Sequence, residues 1–119
     1  MDKFLIKGPC KVKGKINISG SKNAALPILA STILFDKPVE LNNLPNVKDV
    51  QTMLALLKSL GSKILISKNQ KRVKIINPKK MRTFASYNLV KTMRAGILVL
   101  GPMLSKHRKS ITSLPGGCS

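Results

Sequence analysis

The chain has 119 residues, of which 43% are hydrophobic, and its 22 basic and 4 acidic residues give a formal net charge of +18. This length suits one domain with its own core. No apolar run reaches the roughly 18 residues that a membrane span requires, and two cysteines are too few for a disulfide framework. No signal-peptide core is recognisable near the N-terminus, because a charge returns at Lys7. We therefore expect a cytoplasmic protein.

The strong positive charge makes a nucleic acid a candidate partner. However, eighteen of the basic residues are Lys and only four are Arg, whereas sites that read bases and phosphates favour the bidentate guanidinium. The densest basic stretch, residues 68–82, contains no aromatic side chain on which a base could stack. We therefore favour a solvated, lysine-rich surface over a nucleic-acid site, and anionic small molecules would also suit this charge.

The first predicted element is a strand over residues 11–19. Val12, Ile16 and Ile18 alternate with polar residues and would share one face. This pattern predicts a half-buried strand, interrupted at Gly14.

A turn and a buried helix are predicted next. Ser19 or Ser21 could cap a helix that starts near Asn23. The sequence that follows is apolar nearly all round as far as Phe35, which is typical of a buried helix. Pro27 would be tolerated in the first turn, where its missing N–H has no partner in any case.

The middle of the chain predicts a short strand over residues 38–43 and a clear helix over residues 46–61. Asn46 is the expected cap of this helix, and Gly61 is expected to end it. One stripe of the helix carries Val47, Val50, Leu54 and Leu57.

The last third predicts a hairpin, a helix and a strand. Residues 62–67 and 72–77 flank a polar turn and would pair with each other. A third helix is expected from Asn88 to Leu104, with Pro102 kinking or ending it, and residues 110–114 would form a final strand. Helices and strands thus interleave, which predicts an α/β or α+β fold.

Lys22 and Asn23 are the first candidate site residues. A glycine-bearing turn before a helix exposes backbone N–H groups at the positive end of the helix dipole, and an ammonium and an amide there would suit a phosphate or carboxylate. The ordinary alternative is a solvated turn lysine beside a capping asparagine. On physical grounds alone that alternative is favoured, since capped helix starts are common.

Cys118 and Arg94 are the other candidates. Cys118 follows Gly116 and Gly117, which could present the thiol at a loop tip, where basic neighbours would favour the reactive thiolate. Lys91 and Arg94 are three residues apart and would share a helix face, where they could clamp an anion or simply be exposed. One histidine, two distant cysteines and four scattered acids show no metal-ligand spacing.

Five stretches, taken together and in this order, resemble one enzyme family. They read M-D-K-F, I-S-G-S-K-N-A-A-L-P-I-L-A, L-N-N-L-P-N-V-K-D-V, L-V-K-T-M-R-A-G-I-L-V-L-G-P and S-L-P-G-G-C-S. Over essentially its whole length the chain resembles the enolpyruvyl transferases, and among them the UDP-N-acetylglucosamine 1-carboxyvinyltransferases of peptidoglycan synthesis. The shikimate-pathway enolpyruvyl transferases are the second choice. Their pattern continues with Ser and then Asn-Arg after the G-S-K turn, whereas this chain continues with Asn23, Ala24 and Ala25.

The resemblance implies a reaction and a role for each candidate residue. The enzymes transfer the enolpyruvyl group of phosphoenolpyruvate to the 3′-hydroxyl of UDP-N-acetylglucosamine and release phosphate, with no metal or organic cofactor implied. Lys22 and Asn23 correspond to residues that contact phosphoenolpyruvate, and Arg94 corresponds to one on the nucleotide-sugar side. Cys118 corresponds to the cysteine of a mobile loop that donates a proton to the methylene carbon.

The resemblance also implies a domain organisation. The family fold has two domains of repeated β-α-β-α-β-β units, an inside-out α/β barrel, with the substrates in the cleft between them. We expect residues 1–21 to include a strand of the other domain and residues 22–119 to begin the cysteine-loop domain. Family members continue far beyond this loop, so we expect an N-terminal fragment or a decayed gene product that is inactive alone. A complementing polypeptide could supply the remainder. The alternative is a basic anion- or nucleic-acid-binding module without catalysis.

Overall fold

The computed structural model describes residues 2–113, in which helices and strands interleave as the sequence predicts. From residue 22 to residue 76 the order is helix, strand, helix, strand, strand. The α-helices are α1 (Lys22–Ser31), α2 (Lys48–Ser59), α3 (Tyr87–Val90) and α4 (Leu100–His107), and the 3₁₀ helices are Thr32–Leu34 and Arg94–Val99. The strands are β1 (Val39–Leu41), β2 (Lys63–Ile66), β3 (Val73–Ile76), β4 (Phe84–Ala85) and β5 (Ile111–Thr112). The predicted α+β class is therefore confirmed.

The residues from α1 onward pack around one core and are called the packed part. A three-stranded antiparallel sheet in the order β1-β3-β2 forms one of its layers. In the central strand β3, Val73 and Ile75 are buried, and Ile75 stands opposite Val39 on one side and Ile64 on the other. The helices α1 and α2 pack against each other and contribute most of the remaining core. The predicted strand at residues 38–43 and the predicted hairpin are both confirmed.

Helix α1 begins where the sequence predicts but is buried on one side only. Leu26 and Leu29 lie in the core, whereas Ile28 is 47% exposed. Pro27 is the sixth residue of α1, so its expected place in the first turn is wrong. The 3₁₀ helix that continues α1 is tied to the sheet by Asn77, whose amide donates to the carbonyl oxygens of Thr32 (2.6 Å) and Phe35 (3.1 Å).

Helix α2 ends as predicted but starts differently. At its C-terminus, Gly61 has a φ of 114°, a backbone conformation that favours glycine. The backbone N–H of Gly61 donates to Lys58 and that of Ser62 to Leu57, which is a Schellman ending. The predicted cap Asn46 is wrong. Val47 occupies the capping position, and the Asn46 side chain instead accepts a hydrogen bond from Gln51 at 2.8 Å.

The single helix predicted over residues 88–104 is wrong, because the backbone is extended at Met93, with φ −149° and ψ 116°. This residue separates α3 from the 3₁₀ helix Arg94–Val99, which leads into α4. Pro102 lies in the first turn of α4 and therefore neither kinks nor ends a longer helix. The final strand is confirmed at β5, which pairs in parallel with β4.

The strand predicted over residues 11–19 is also wrong in this structure. The segment 2–19 forms neither helix nor strand, and its residues are exposed. Val12 is 90% exposed, Ile16 81% and Ile18 80%, because no neighbouring strand pairs with the segment in the described part of the chain. Alternation of apolar residues defines a face but does not provide the partner that a strand requires. Within residues 2–113, no helix is long and apolar enough to cross a membrane.

Candidate functional site

The start of α1 is a capped helix N-terminus. Ser21 is its cap, with an extended backbone (φ −81°, ψ 130°), and its side-chain oxygen accepts from the backbone N–H of Ala24 at 3.4 Å. The helix begins at Lys22, so Lys22 and Asn23 lie in its first turn, and both are exposed. The first N–H groups of an α-helix have no partner within the helix and carry its positive dipole end. The predicted helix start and its cap at Ser21 are therefore confirmed.

The turn before α1 is fixed by a close contact with the loop after β1. A Cβ atom placed on Gly20 would overlap the backbone carbonyl oxygen of Asn43, so only glycine fits there without a shift of the backbone. Asn43 itself has a φ of 58°, and its side-chain amide donates to the carbonyl of Ile18 at 3.4 Å. The loop after β1 thus determines where α1, and with it Lys22, begins.

Lys22 forms an ion pair with Asp49. The Lys22 Nζ lies 3.0 Å from the Asp49 carboxylate, and the two side chains are 49% and 35% exposed. Asp49 stands in the first turn of α2, where the helix dipole favours a negative charge. This contact joins the N-terminal ends of α1 and α2. The ammonium remains open to solvent, and it has three donors, of which a single carboxylate oxygen uses one.

A shallow cavity lies beside this turn but does not include the two site residues. Its lining comes from Ser21 and Ala24 on α1 and from residues 41–45 on the facing loop, and it is largely apolar. Lys22 and Asn23 instead face solvent outside it. Any anion held by this pair would therefore sit over the exposed end of α1.

Arg94 lies on an element that packs against α1. It is the exposed first residue of the 3₁₀ helix Arg94–Val99, and that helix packs against α1. The predicted shared face with Lys91 is wrong, because the extended Met93 interrupts the helix between them. Lys91 instead places its Nζ 5.4 Å from the centre of the Tyr87 ring, a cation–π distance.

Cys118 lies outside the described residues. Of the two cysteines, the structure places Cys10, which is exposed in the N-terminal segment. His107, the last residue of α4, is partly buried, and its Nε2 has no hydrogen-bond partner among the described residues.

Asp49 is the contact that sequence reasoning did not identify. Asp49 lies in the first turn of α2, where the helix dipole favours a negative charge. Its partner lies 27 positions away on another helix, and only the packing of α1 on α2 brings the two together. One signal was available in the composition: with four acidic residues against 22 basic ones, each acid has many potential partners.

The fold of the described part is similar to that of an enolpyruvyl transferase. The structure is similar to the crystal structure of the enolpyruvyl transferase NikO from Streptomyces tendae, with a TM-score of 0.67. The likeness covers 78% of this chain and 21% of that one, at 16% sequence identity. At this identity the likeness concerns the fold alone.

Sequence comparison extends the likeness to a family. Residues 6–119 match the family described as EPSP synthase (3-phosphoshikimate 1-carboxyvinyltransferase), and the chain belongs to that family. The chain is 60% identical to a UDP-N-acetylglucosamine 1-carboxyvinyltransferase of Pelagibacter ubique and 52% identical to one of Acinetobacter baylyi. Each match covers all of this chain and 28% of the relative. The chain thus spans little more than a quarter of the length of these curated relatives.

Proposed function

We propose that this chain supplies the N-terminal part of a UDP-N-acetylglucosamine 1-carboxyvinyltransferase. The observation that carries the proposal is the identity of 60% to a relative of that name over all 119 residues. The family description names the shikimate enzyme, but the Lys22-Asn23 pair and the glycine–cysteine loop follow the other pattern. The proposed activity belongs to cell-wall synthesis. A cytoplasmic location goes with it, because both substrates are charged and phosphorylated and do not cross a membrane unaided.

In the proposed reaction the 3′-hydroxyl of the sugar attacks C2 of phosphoenolpyruvate and loses its proton, while Cys118 donates a proton to C3. Elimination then removes a proton from C3 and releases phosphate, which restores the carbon–carbon double bond. Lys22 and Asn23 would hold the phosphoenolpyruvate anion over the first turn of α1, and Arg94 would lie on the nucleotide-sugar side. Cations and helix N–H groups serve such a step by stabilising the phosphate and carboxylate charges.

We also propose that residues 1–21 contribute to a second domain, and that residues 22–119 begin the cysteine-loop domain. The exposure of the apolar side chains in the segment 2–19 supports this division. Burial of such side chains against a partner surface is favourable, because it removes apolar area from water. The packed part, by contrast, has its own core from α1 onward.

The function is tested with a chimeric enzyme in which residues 1–119 replace the matching segment of the Pelagibacter ubique relative. We expect phosphate release that depends on UDP-N-acetylglucosamine. The 119-residue chain alone should show none, since loss of substrate positioning costs orders of magnitude in rate. An inactive but folded chimera, or turnover that requires shikimate 3-phosphate instead, would contradict the proposed function.

The role of Lys22 is tested in the same chimera. Lys22→Ala should raise the KM for phosphoenolpyruvate by roughly 10- to 100-fold, because it removes a charged hydrogen-bond donor from an anion. Lys58→Ala is the matched control. Lys58 is an exposed lysine at the opposite end of α2, so its loss should leave the KM within about twofold. Equal effects of the two changes would mean that Lys22 acts only through the overall charge.

The role of Cys118 is tested by labelling with an epoxide phosphonate, an electrophile shaped like the phosphorylated substrate. Mass spectrometry should find Cys118 modified before Cys10, although Cys10 is itself exposed. Cys118→Ser should abolish the labelling and most of the turnover, while Cys118→Asp should retain some turnover because a carboxyl group can donate a proton. Preferential labelling of Cys10, or full activity in Cys118→Ser, would remove the proposed role.

A further inference from the structure

The carboxylate of Asp49 lies beside Lys22 at the proposed anion site, which is an unexpected place for a negative charge. Its oxygen is 3.0 Å from the Lys22 ammonium. The chain has only four acidic residues among 119, and 22 basic residues compete for them. An acid next to an anion site repels the anion, so a carboxylate at this position calls for a second role that explains it. The contact with Lys22 indicates what that is.

We propose that Asp49 is a positioning residue for Lys22. It holds the ammonium over the first turn of α1, so that the remaining donors point to one place where an anion can bind. The proposal rests on the proposed function for the identity of that anion, phosphoenolpyruvate. Asp49 acts through Lys22 and is not itself a ligand of the substrate.

The packing explains why Asp49 is suited to this role. A lysine side chain is flexible, and an unpaired ammonium samples many positions, so ordering it on binding costs affinity. Asp49 has a short side chain on a fixed backbone, because the adjacent Val50 and Met53, one turn further on, are buried in the core and α2 packs against α1. A rigid partner therefore restricts a mobile one before the substrate arrives.

The direction in which one substitution changes substrate affinity distinguishes a positioning role from a simple effect of charge. Asp49→Asn removes a negative charge and keeps the shape of the side chain. If Asp49 contributed only its charge, the substitution would strengthen the binding of an anionic substrate. If Asp49 positions Lys22, the same substitution weakens that binding.

The first experiment uses the 119-residue chain and needs no activity. Nuclear magnetic resonance of chain labelled in lysine reports the order parameter of each lysine Cε, and a Lys22→Arg sample identifies the signal of Lys22. Asp49→Asn should lower the order parameter of Lys22 and leave that of Lys106 unchanged. Lys106 pairs with Asp36 at 2.8 Å, so Asp36→Asn should give the reverse result. A Lys22 signal that is equally mobile with and without Asp49 would overturn the proposal.

The second experiment measures kinetics in the chimeric enzyme described above. Asp49→Asn should raise the KM for phosphoenolpyruvate about two- to fivefold, the range that a partly exposed ion pair supplies, with a smaller change in kcat. Asp49→Glu, which keeps the charge, should recover part of this loss. In a Lys22→Ala background the rise in KM caused by Asp49→Asn should disappear, because no ammonium is left to position, and the loss of a repelling carboxylate can then only lower the KM.

Asp36→Asn is the matched control for the kinetics. It breaks another aspartate–lysine pair and lies beyond the far end of α1, a helix of ten residues that spans about 15 Å. It should leave the KM unchanged. A lower KM in Asp49→Asn, a fall in kcat with KM unchanged, or an undiminished effect in the Lys22→Ala background would overturn the positioning role. An inactive parent chimera would instead contradict the proposed function. The order-parameter experiment would still show whether Asp49 restricts the motion of the Lys22 side chain.

Discussion

The segment 11–19 and the first three residues of the strand β3 share an alternation of apolar and polar residues, yet only β3 is a strand. Val73 and Ile75 of β3 are at most 1% exposed, whereas Ile16 and Ile18 in the N-terminal segment are at least 80% exposed. The difference lies in the neighbours. β3 pairs with β1 on one side and β2 on the other. The pattern of a strand therefore tells which face would be buried, and only the rest of the fold decides whether anything buries it.

The chain is less compact than a fully packed chain of the same length. The radius of gyration is 17.3 Å, whereas a compact chain of this length would have about 13.5 Å. The buried core residues run from Ala25 to Met103, whereas the residues of the segment 2–19 are all exposed. Six large apolar residues of this segment are exposed, which is typical of a surface that a partner covers.

The largest expected effect contrasts a buried isoleucine of β3 with an exposed one in the N-terminal segment. Ile75→Ala should lower the free energy of unfolding by about 2–5 kcal/mol, because it leaves a cavity in the core. Ile16→Ala should change it by no more than about 0.5 kcal/mol. Urea denaturation of the 119-residue chain measures both values. Losses of similar size would show that the N-terminal segment is packed in solution.

A smaller effect is expected at the point where the two parts meet. Gly20→Ala should lower the free energy of unfolding by about 1–3 kcal/mol, since the new methyl group overlaps the Asn43 carbonyl and the backbone must shift. Gly8→Ala is the control within the exposed segment, because nothing lies within 4 Å of the new methyl group. Thermal unfolding compares the two. If Gly20→Ala were as harmless as Gly8→Ala, the turn would not be fixed against the loop after β1.

The parts of the fold that the sequence predicts well are those with local determinants. The cap at Ser21, the Gly61 ending of α2 and the polar turn of the hairpin all depend on residues close to one another in the chain. The same holds for the exposed Lys22 and Asn23, which follow from the helix start. Local chemistry was sufficient there because the backbone groups it satisfies are neighbours.

The predictions that fail depend on distant contacts. Residues 88–104 were expected to form one helix, but the buried Met93 is extended and breaks it. Asn46 has the right side chain for a cap and uses it on Gln51. The pair between Lys22 and Asp49 exists only because two helices pack together, which no local pattern reports. The roles of Arg94 and Cys118 stay predictions.

The smallest expected effect concerns the ion pair between Asp36, in the turn after the first 3₁₀ helix, and Lys106 of α4. The hydrogen bond from Lys106, together with its positive charge, lowers the pKa of Asp36 below its ordinary value of 3.8, and the charge of His107 adds a little. A carboxyl group whose pKa is lower in the folded state stabilises that state above pH 3.8 and loses this contribution as the pH falls through the lowered pKa.

The contribution is small, because the Asp36 side chain is 89% exposed and solvent screens the pair. At neutral pH, Asp36→Asn should therefore lower the unfolding temperature slightly, and this difference should vanish once the pH is below the lowered pKa of Asp36. A titration followed by carbon nuclear magnetic resonance reads the carboxyl group directly, and Lys106→Ala should return its pKa towards the ordinary value. An Asp36 titration that ignores the loss of Lys106 would mean that the ion pair does not hold in solution, and that this end of α4 is held by apolar packing alone.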